Sequence, residues 1–375
     1  MKQKVGTLEI ERFRALRRIK IEGFGRVNLI TGKNNTGKSS LLEALRILAF
    51  DAAPSVIESI LQFREENVRD ADDSPRTLDA EGVFRLSNLF HGFPQFSGKL
   101  EPIVMAASAG SRPMHLSIGA GWFTEERDAE GTRRLVPQQE QLFGDGEGLP
   151  SLVIESNGNR RLLPLDYSRR YPYRDRVLRS EFSDETALPC VFVSPYGGER
   201  TATLGAMWDK IALSDREKDV VEALKIIDPE ISAVSMVGGE GPRQQRTAIV
   251  RAGNLPRPVP LRSFGDGLNR LFGIVLSLVN AKDGILLIDE FENGIHYTVQ
   301  LDAWRTVFRV AERLGVQVFA TSHSWDSIEA FQKAAAEVPE DGVLIRLSRR
   351  GSDVLPTVFA ESELAVATRE RIEVR

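Results

Sequence analysis

Residues 29–45 read LITGKNNTGKSSLLEAL, and within them Gly32, Gly37, Lys38 and Ser39 stand at G-x-x-x-x-G-K-S spacing. Small residues there let successive backbone N–H groups turn inward around phosphate oxygens. The lysine reaches the outer phosphates, and the hydroxyl is a Mg2+ ligand. The candidate cradle is therefore Gly32, Lys33, Asn34, Asn35, Thr36, Gly37, Lys38, Ser39 and Ser40. Far downstream, GILLIDEFE at 284–292 sets Asp289 and Glu290 directly after four apolar residues. Beside a phosphate loop, such acids divide two tasks. The first, Asp289, joins Ser39 at the metal, and the second, Glu290, orients and deprotonates an attacking water. A third group, His323, follows the next apolar run, VQVFA, and is placed to reach a terminal phosphate.

These groups act together only if the chain places them at one edge of a sheet. RVNLI (26–30) reads as a buried strand entering the loop. SSLLEALRILAF (39–50) reads as a helix leaving it, with Leu41, Leu42, Leu45 and Leu48 on one face. A phosphate would then sit at a helix N-terminus, where free N–H groups favour an anion. The wholly apolar Ile285–Ile288 predicts a central parallel strand, whose carboxyl end is where an α/β sheet places ligands. A helix over 298–314, with Trp304, Val307, Phe308 and Ala311 sharing a face, leads to the strand before His323. Upstream, SFGDGLNRLFGIVLSLVN (263–280) reads as a polar cap and two glycines feeding a helix. Ser263, Gly265 and Gly267 mark a second helix N-terminus, an ordinary cap or a second anion site.

The middle of the chain is β-rich and then helical. GVFRLSN, HLSIGAGWF and SLVIES predict strands, 124–150 predicts an acidic mobile loop, and LSDREKDVVEALKIIDPE predicts a helix capped by Ser214. Near the end, VLIRLSRRGSDVLPTVFA predicts a hairpin followed by a short helix. The expected division is a core carrying the phosphate loop from 1–50 and 240–375, with β-rich and helical lobes inserted over 51–239.

The 375 residues are 42% apolar and 27% charged, as in a folded soluble protein. The net charge of -4 means that nucleic acid would need a local basic patch. One such stretch is 159–179, where Arg160, Arg161, Arg169, Arg170, Arg174, Arg176 and Arg179 interleave with Tyr167, Tyr171 and Tyr173. It suits nucleic acid, a protein interface or a solvated face alike. One cysteine, Cys190, excludes a disulfide framework and any CxxC pair, while His91 and His115 are scattered and expected to be structural. The N-terminus lacks a signal-peptide core, and LFGIVLSLV falls short of the roughly 18 residues of a spanning helix, so no membrane and a cytoplasmic location are expected.

The order of phosphate loop, SxGxG helix, apolar-DE strand and strand-His resembles the ABC-type ATPases, in their RecF/SMC/OLD branch. LEIERFRALRRIKIEGFGRVNLITGKNNTGKSSLLEAL resembles the start of OLD- and RecF-type proteins. PLRSFGDGLNRL, GILLIDEFENGIHY and QVFATSHSWDSIEAF are similar to standalone OLD-related AAA-labelled ATPases. The resemblance covers roughly the first fifty and last one hundred and thirty residues. It implies an α/β P-loop NTPase, an ABC-type ATPase head with mixed sheet, β-rich lobe and inserted helical lobe. It implies ATP and Mg2+ as substrate and cofactor, with Walker A at Gly32–Ser39, Walker B at Asp289 and Glu290, and His323 as switch histidine. Ser263, Gly265 and Gly267 become a signature loop facing ATP on a second subunit, a departure from the transporter LSGGQ, and Asn293–His296 the D-loop. Two ATP would be held between protomers of a homodimer or higher homo-oligomer. Hydrolysis would control a separate effector in anti-phage defence or genome maintenance. The alternative is a RecF-like, nucleotide-gated module that binds DNA or protein, hydrolysis being incidental. The stretch after His323 is too short for a Toprim nuclease. Gln62 and Leu89–Phe93 are both Q-loop candidates. Phe13 and Arg14 are adenine-stacking residues by resemblance, or else a buried strand residue beside a surface arginine.

Overall fold

The computed structural model describes residues 3–66, 86–94, 100–109, 112–127, 133–137, 149–164, 188–195, 201–225, 228–238, 246–253, 255–338 and 341–370. Strands β1 (Thr7–Phe13), β2 (Leu16–Glu22) and β3 (Val27–Thr31) lead to helices α1 (Lys38–Ala49) and α2 (Pro54–Phe63). Strands β4 (Ile103–Ala109), β5 (Arg112–Arg127), β6 (Arg133–Pro137), β7 (Leu149–Ser156), β8 (Asn159–Pro164) and β9 (Cys190–Val193) follow. Then come α3 (Thr201–Asp209), α4 (Asp215–Lys225), β10 (Ile231–Val237), β11 (Thr247–Ala252), β12 (Val259–Pro260) and α5 (Asp266–Asn280). The chain continues through β13 (Ile285–Ile288), α6 (Tyr297–Leu314), β14 (Gln317–Thr321), α7 (Trp325–Ala335), β15 (Gly342–Arg350), β16 (Asp353–Phe359) and α8 (Glu361–Arg369).

The central sheet has the order β16-β15-β3-β14-β13-β9. All its pairings are parallel except β16 on β15. Every residue of β3, β13 and β14 is buried, which is why these runs carry no apolar-polar alternation. Side chains still alternate between two cores. Leu29, Leu286 and Ile288 join one built on α5, α6 and α7. Ile30, Ile285 and Leu287 join the other, with α1 and the antiparallel lobe. In the first core Trp304 stacks on Phe291 at 3.7 Å and meets Phe331 edge-on at 5.0 Å. That packing anchors the chain one residue beyond Glu290.

A second, antiparallel sheet has the order β2-β1-β4-β5-β7-β8, with β6 on β5, and β10-β11-β12 form a third. The sheets do not divide at residues 50 and 240. β1 and β2, from the first fifty residues, pair into the antiparallel lobe, and β9, from within 51–239, is the edge strand beside β13. A four-residue strand such as CVFV has no signature of its own; its sheet membership exists only through pairing with β13. Part of 124–150, expected as a mobile loop, is strand: β5 runs through Arg127 and pairs with β6. Cross-strand pairing overrides the acidic composition there; 128–132 and 138–148 lie outside the described residues. Of GVFRLSN, expected as strand, only Leu86–Asn88 are described, and Leu86 and Ser87 form a helical turn. Among the described residues no helix is long and apolar enough to cross a membrane.

Candidate active site

The loop between β3 and α1 is held open by backbone conformations that few side chains adopt. Gly32, Asn35 and Gly37 have φ of 143°, 62° and 87°. A Cβ on Gly32 would collide with the Leu347 carbonyl oxygen, and one on Gly37 would lie 2.8 Å from Leu16 Cδ2. The loop is thus wedged between β15 and the β1–β2 turn. Thr36 Oγ1 donates to the Lys33 carbonyl at 2.8 Å, closing it from inside. Gly37 caps α1 with no side-chain bond, and the first turn carries no acid, so its N–H groups face the loop as an anion site.

Lys38 is buried, and its Nζ donates to the carbonyl oxygens of Gly32 at 2.7 Å and Lys33 at 3.0 Å. Burial lowers its pKa, against the opposing pull of Asp289, Glu290 and Glu292. A buried cation beside a ring of free N–H groups suits a polyanion.

Because β14 lies between β3 and β13, their carboxyl ends present three segments side by side. Asp289 Oδ1 accepts from Thr321 Oγ1 at 2.6 Å and from Ser39 Oγ at 3.3 Å. That set of hard oxygens, a half-buried hydroxyl and a carboxylate, fits Mg2+. Glu290 has φ of 50°, and its N–H donates to Thr321 Oγ1 at 2.8 Å. Its Oε1 lies 3.3 Å from His323 Nε2, and its Oε2 accepts from Asn293 Nδ2. Both Glu290 and His323 side chains remain about a third exposed, leaving room for water. The buried Arg270 donates to the Ser194 carbonyl at 2.8 Å and reaches the Asp289 and Glu290 carbonyls at 3.4 Å. Glu292 Oε1 accepts the N–H groups of His323 at 2.7 Å and Ser324 at 3.1 Å, setting the direction of the loop that follows β14.

The structure therefore gathers the loop Gly32–Ser40 with Asp289, Glu290 and His323. Ser263, Gly265 and Gly267, expected as a signature loop, stand where the chain enters α5. Ser263 sits exposed on a 3-10 turn, Leu261–Phe264, rather than capping the helix; the α5 cap is Gly265, with φ of 100°. Only a residue free to adopt positive φ turns the chain from the 3-10 turn into α5. Gly267 approaches the Gly294 carbonyl, so this turn meets the Asn293–His296 segment within the same chain. Phe13 is fully buried, and Arg14 joins a buried network rather than standing at the surface. Its Nε lies 2.6 Å from Glu43 Oε2, its Nη1 and Nη2 donate to Glu66 at 2.8 and 2.9 Å, and Arg64 Nε reaches Glu43 Oε1 at 2.6 Å. Burial raises the Glu43 pKa, and the two arginines oppose it.

Gln62 is exposed on α2, and Leu89 and Phe90 pack under Phe13 and Arg14. Neither lies at a core-strand end, whereas Ser194 and Pro195 follow β9 and bond Arg270 and Asn293. Of the arginine stretch, Arg160 faces Glu155 at 3.7 Å and Arg161 pairs with Asp51 at 2.6 Å. Arg169, Arg170, Arg174, Arg176 and Arg179 lie outside the described residues. Desolvation pushes the thiol of the half-buried Cys190 up to about 12, the state of an unreactive thiol. Sequence reading missed the parts played by Thr321, Arg270 and Glu292. Thr321 lay in plain view beside His323, but nothing local marks a threonine as the partner of an acid 32 residues away.

A phosphate cradle at a helix N-terminus, a buried lysine and an acid pair after β13, at the same edge of the sheet, define a P-loop ATPase. Residues 4–81 match the family model described as an AAA ATPase domain. Residues 197–328 match one described as an AAA domain, whose description also names an AbiEii toxin and a type IV TA system. An ATP/GTP phosphatase of Helicobacter pylori is 24% identical over 348 residues, 89% of each chain. An uncharacterized protein of Methanocaldococcus jannaschii is 38% identical over 65 residues, 16% of this chain and 30% of its own. Among solved structures, an SMC head bound to the C-winged helix domain of ScpA superposes with a TM-score of 0.51 at 11% identity, over 96% of this chain and 98% of that one. An Smc head with an extended coiled coil, bound to the C-terminal domain of ScpA derived from Pyrococcus furiosus, gives 0.50 at 10% identity, over 98% and 99%. At these identities the likeness is of fold. The chain is an ATPase on an SMC-head-like P-loop fold, and two of its segments are similar to AAA-type ATPase domains.

Proposed function

We propose that the chain is an ABC-type ATPase of the OLD-related branch that holds two ATP–Mg2+ between protomers and uses hydrolysis to reset that assembly. The observation that carries this reading is the convergence of Lys38, Ser39, Asp289, Glu290 and His323 at the carboxyl ends of three adjacent strands. The loop N–H groups and Lys38 hold the β- and γ-phosphates, and Lys38 exchanges its two carbonyl partners for phosphate oxygens. Ser39 and Asp289 would hold Mg2+, which would supply positive charge at the phosphate oxygens. Glu290 orients water and takes its proton, and His323 moves between Glu290 and the γ-phosphate. Catalysis is positioning and charge stabilisation for the most part.

Ser263, Gly265 and Gly267 are proposed to face the nucleotide of a second copy; the exposure of Ser263 and Gly265 supports this. Control of a separate effector, in phage defence or genome maintenance, is supported by the toxin system in one family description and by the partner-bound SMC heads. The Helicobacter relative's name extends the candidate substrates to GTP. Arg160 and Arg161 have carboxylate partners within the chain, so at those two positions the positive charge is already met.

The test is turnover and mass in solution for the wild type and Glu290→Gln, with ATP and with GTP, in the presence and absence of DNA. The expected result is ATP-dependent dimerisation of a variant that binds ATP and has lost most of its turnover. Undiminished hydrolysis by Glu290→Gln would remove the assignment.

A further inference from the structure

We infer that Asn293 is a positioning residue for the catalytic carboxylate, fixing Oε2 of Glu290 so that Oε1 is the atom that takes the proton from water. This rests on the assignment of Glu290 above and adds a residue to it. Asn293 folds onto Glu290 twice. Its backbone N–H donates to the Glu290 carbonyl at 3.1 Å, and its side-chain Nδ2 donates to Oε2. The same Nδ2 donates to the Pro195 carbonyl at 3.0 Å, so the amide is anchored at the end of β9 rather than drifting with the turn.

Glu290 needs such an anchor. A non-glycine residue at φ of 50° holds that conformation only where its surroundings over-determine it. Thr321 takes its N–H, Arg270 reaches its carbonyl, and Asn293 is the neighbour that acts on the carboxylate from the β9 side. On the opposite side, His323 Nε2 stands 3.3 Å from Oε1. The carboxylate is thus clasped between a fixed amide and a histidine that swings. When His323 turns to the γ-phosphate, Oε1 is released toward water while Oε2 stays held. The proton passes from water to Oε1, the water oxygen bonds to phosphorus, and the bond to the ADP oxygen breaks with its electron pair. A carboxylate free to rotate would share those two roles between its oxygens and lose alignment, and about an ångström of misplacement costs up to roughly 100-fold in rate.

The experiment compares Asn293→Ala and Asn293→Asp, the second keeping the shape of the side chain while removing its amide donor. The readouts are steady-state ATPase, affinity for a fluorescent ATP analogue, and thermal melting. The expected result is a kcat lower by about 10- to 100-fold with KM and analogue affinity within about twofold. In single-turnover assays, adding Asn293→Ala to Glu290→Gln should cost nothing further, because both changes disable one group. Wild-type kcat in both variants, a fall in affinity that tracks kcat, or a further tenfold loss on the Glu290→Gln background would each overturn the inference. If Glu290→Gln itself turns over normally, the assignment of Glu290 fails; if it is inactive while both Asn293 variants are normal, only the role of Asn293 fails.

Discussion

Thr321→Val is a near-isosteric change with a large expected effect. The side chain is completely buried, so valine fills the same volume and opens no cavity. What disappears is one hydroxyl that serves both acids: it donates to Asp289 Oδ1 at 2.6 Å and accepts the Glu290 N–H at 2.8 Å. A hydrogen bond to a charged group contributes about 1.5–3 kcal/mol, and a buried N–H left without a partner costs about 1–3 kcal/mol. Asp289 keeps Ser39 Oγ at 3.3 Å as a weaker donor, so the expected loss of stability is about 2–5 kcal/mol. Thr321→Ser keeps the hydroxyl and removes a methyl group, costing about 1 kcal/mol. Urea unfolding with matched m-values separates the two variants. Catalysis should separate them further: without the Thr321 anchor, the strained Glu290 backbone relaxes and kcat falls at least about tenfold in the valine variant only. Equal stability and equal turnover of the valine and serine variants would refute the claim that this hydroxyl organises the acid pair.

Three other outcomes follow from the same geometry. Arg14→Leu leaves Glu43 buried with Arg64 alone and should destabilise by about 3–5 kcal/mol at neutral pH. The folded pKa of Glu43 is raised above 4.5, so the folded state holds that proton more tightly; denaturation midpoints of the variant should recover as pH falls through that folded pKa. Lys38→Met should weaken ATP-analogue binding at least about tenfold. The lowered pKa of Lys38 makes the unfolded chain the tighter proton binder between its folded value and 10.5, so wild-type stability should rise with pH across that window, and this component should vanish in the variant. Gly32→Ala drives a methyl group into the Leu347 carbonyl at a φ of 143°; melting should fall, and a nucleotide should no longer stabilise the fold.

What the sequence determines by itself is local. Glycines at residues 32 and 37, with a lysine and hydroxyls beside them, are contiguous, and their backbone needs are written in residue type, so the loop is legible without a fold. The same holds for Ile285–Ile288 and VQVFA, whose unbroken apolarity demands burial on both faces, and for α1 and α6, whose apolar faces repeat every three to four residues. Tertiary structure decided everything that depends on which strands are neighbours. Placing β14 between β3 and β13 is what brings Ser39, 250 residues from Asp289 in the chain, within 3.3 Å of its carboxylate. It also made Thr321 the shared partner of both acids; the pairing of β9 with β13 made Asn293 and Arg270 their anchors, and the docking of α1 against the β1–β2 turn turned Arg14 into a buried ion-pair partner of Glu43. A short strand or one polar side chain carries no periodic signal, and the energy of such a contact depends on a partner that only the folded chain supplies.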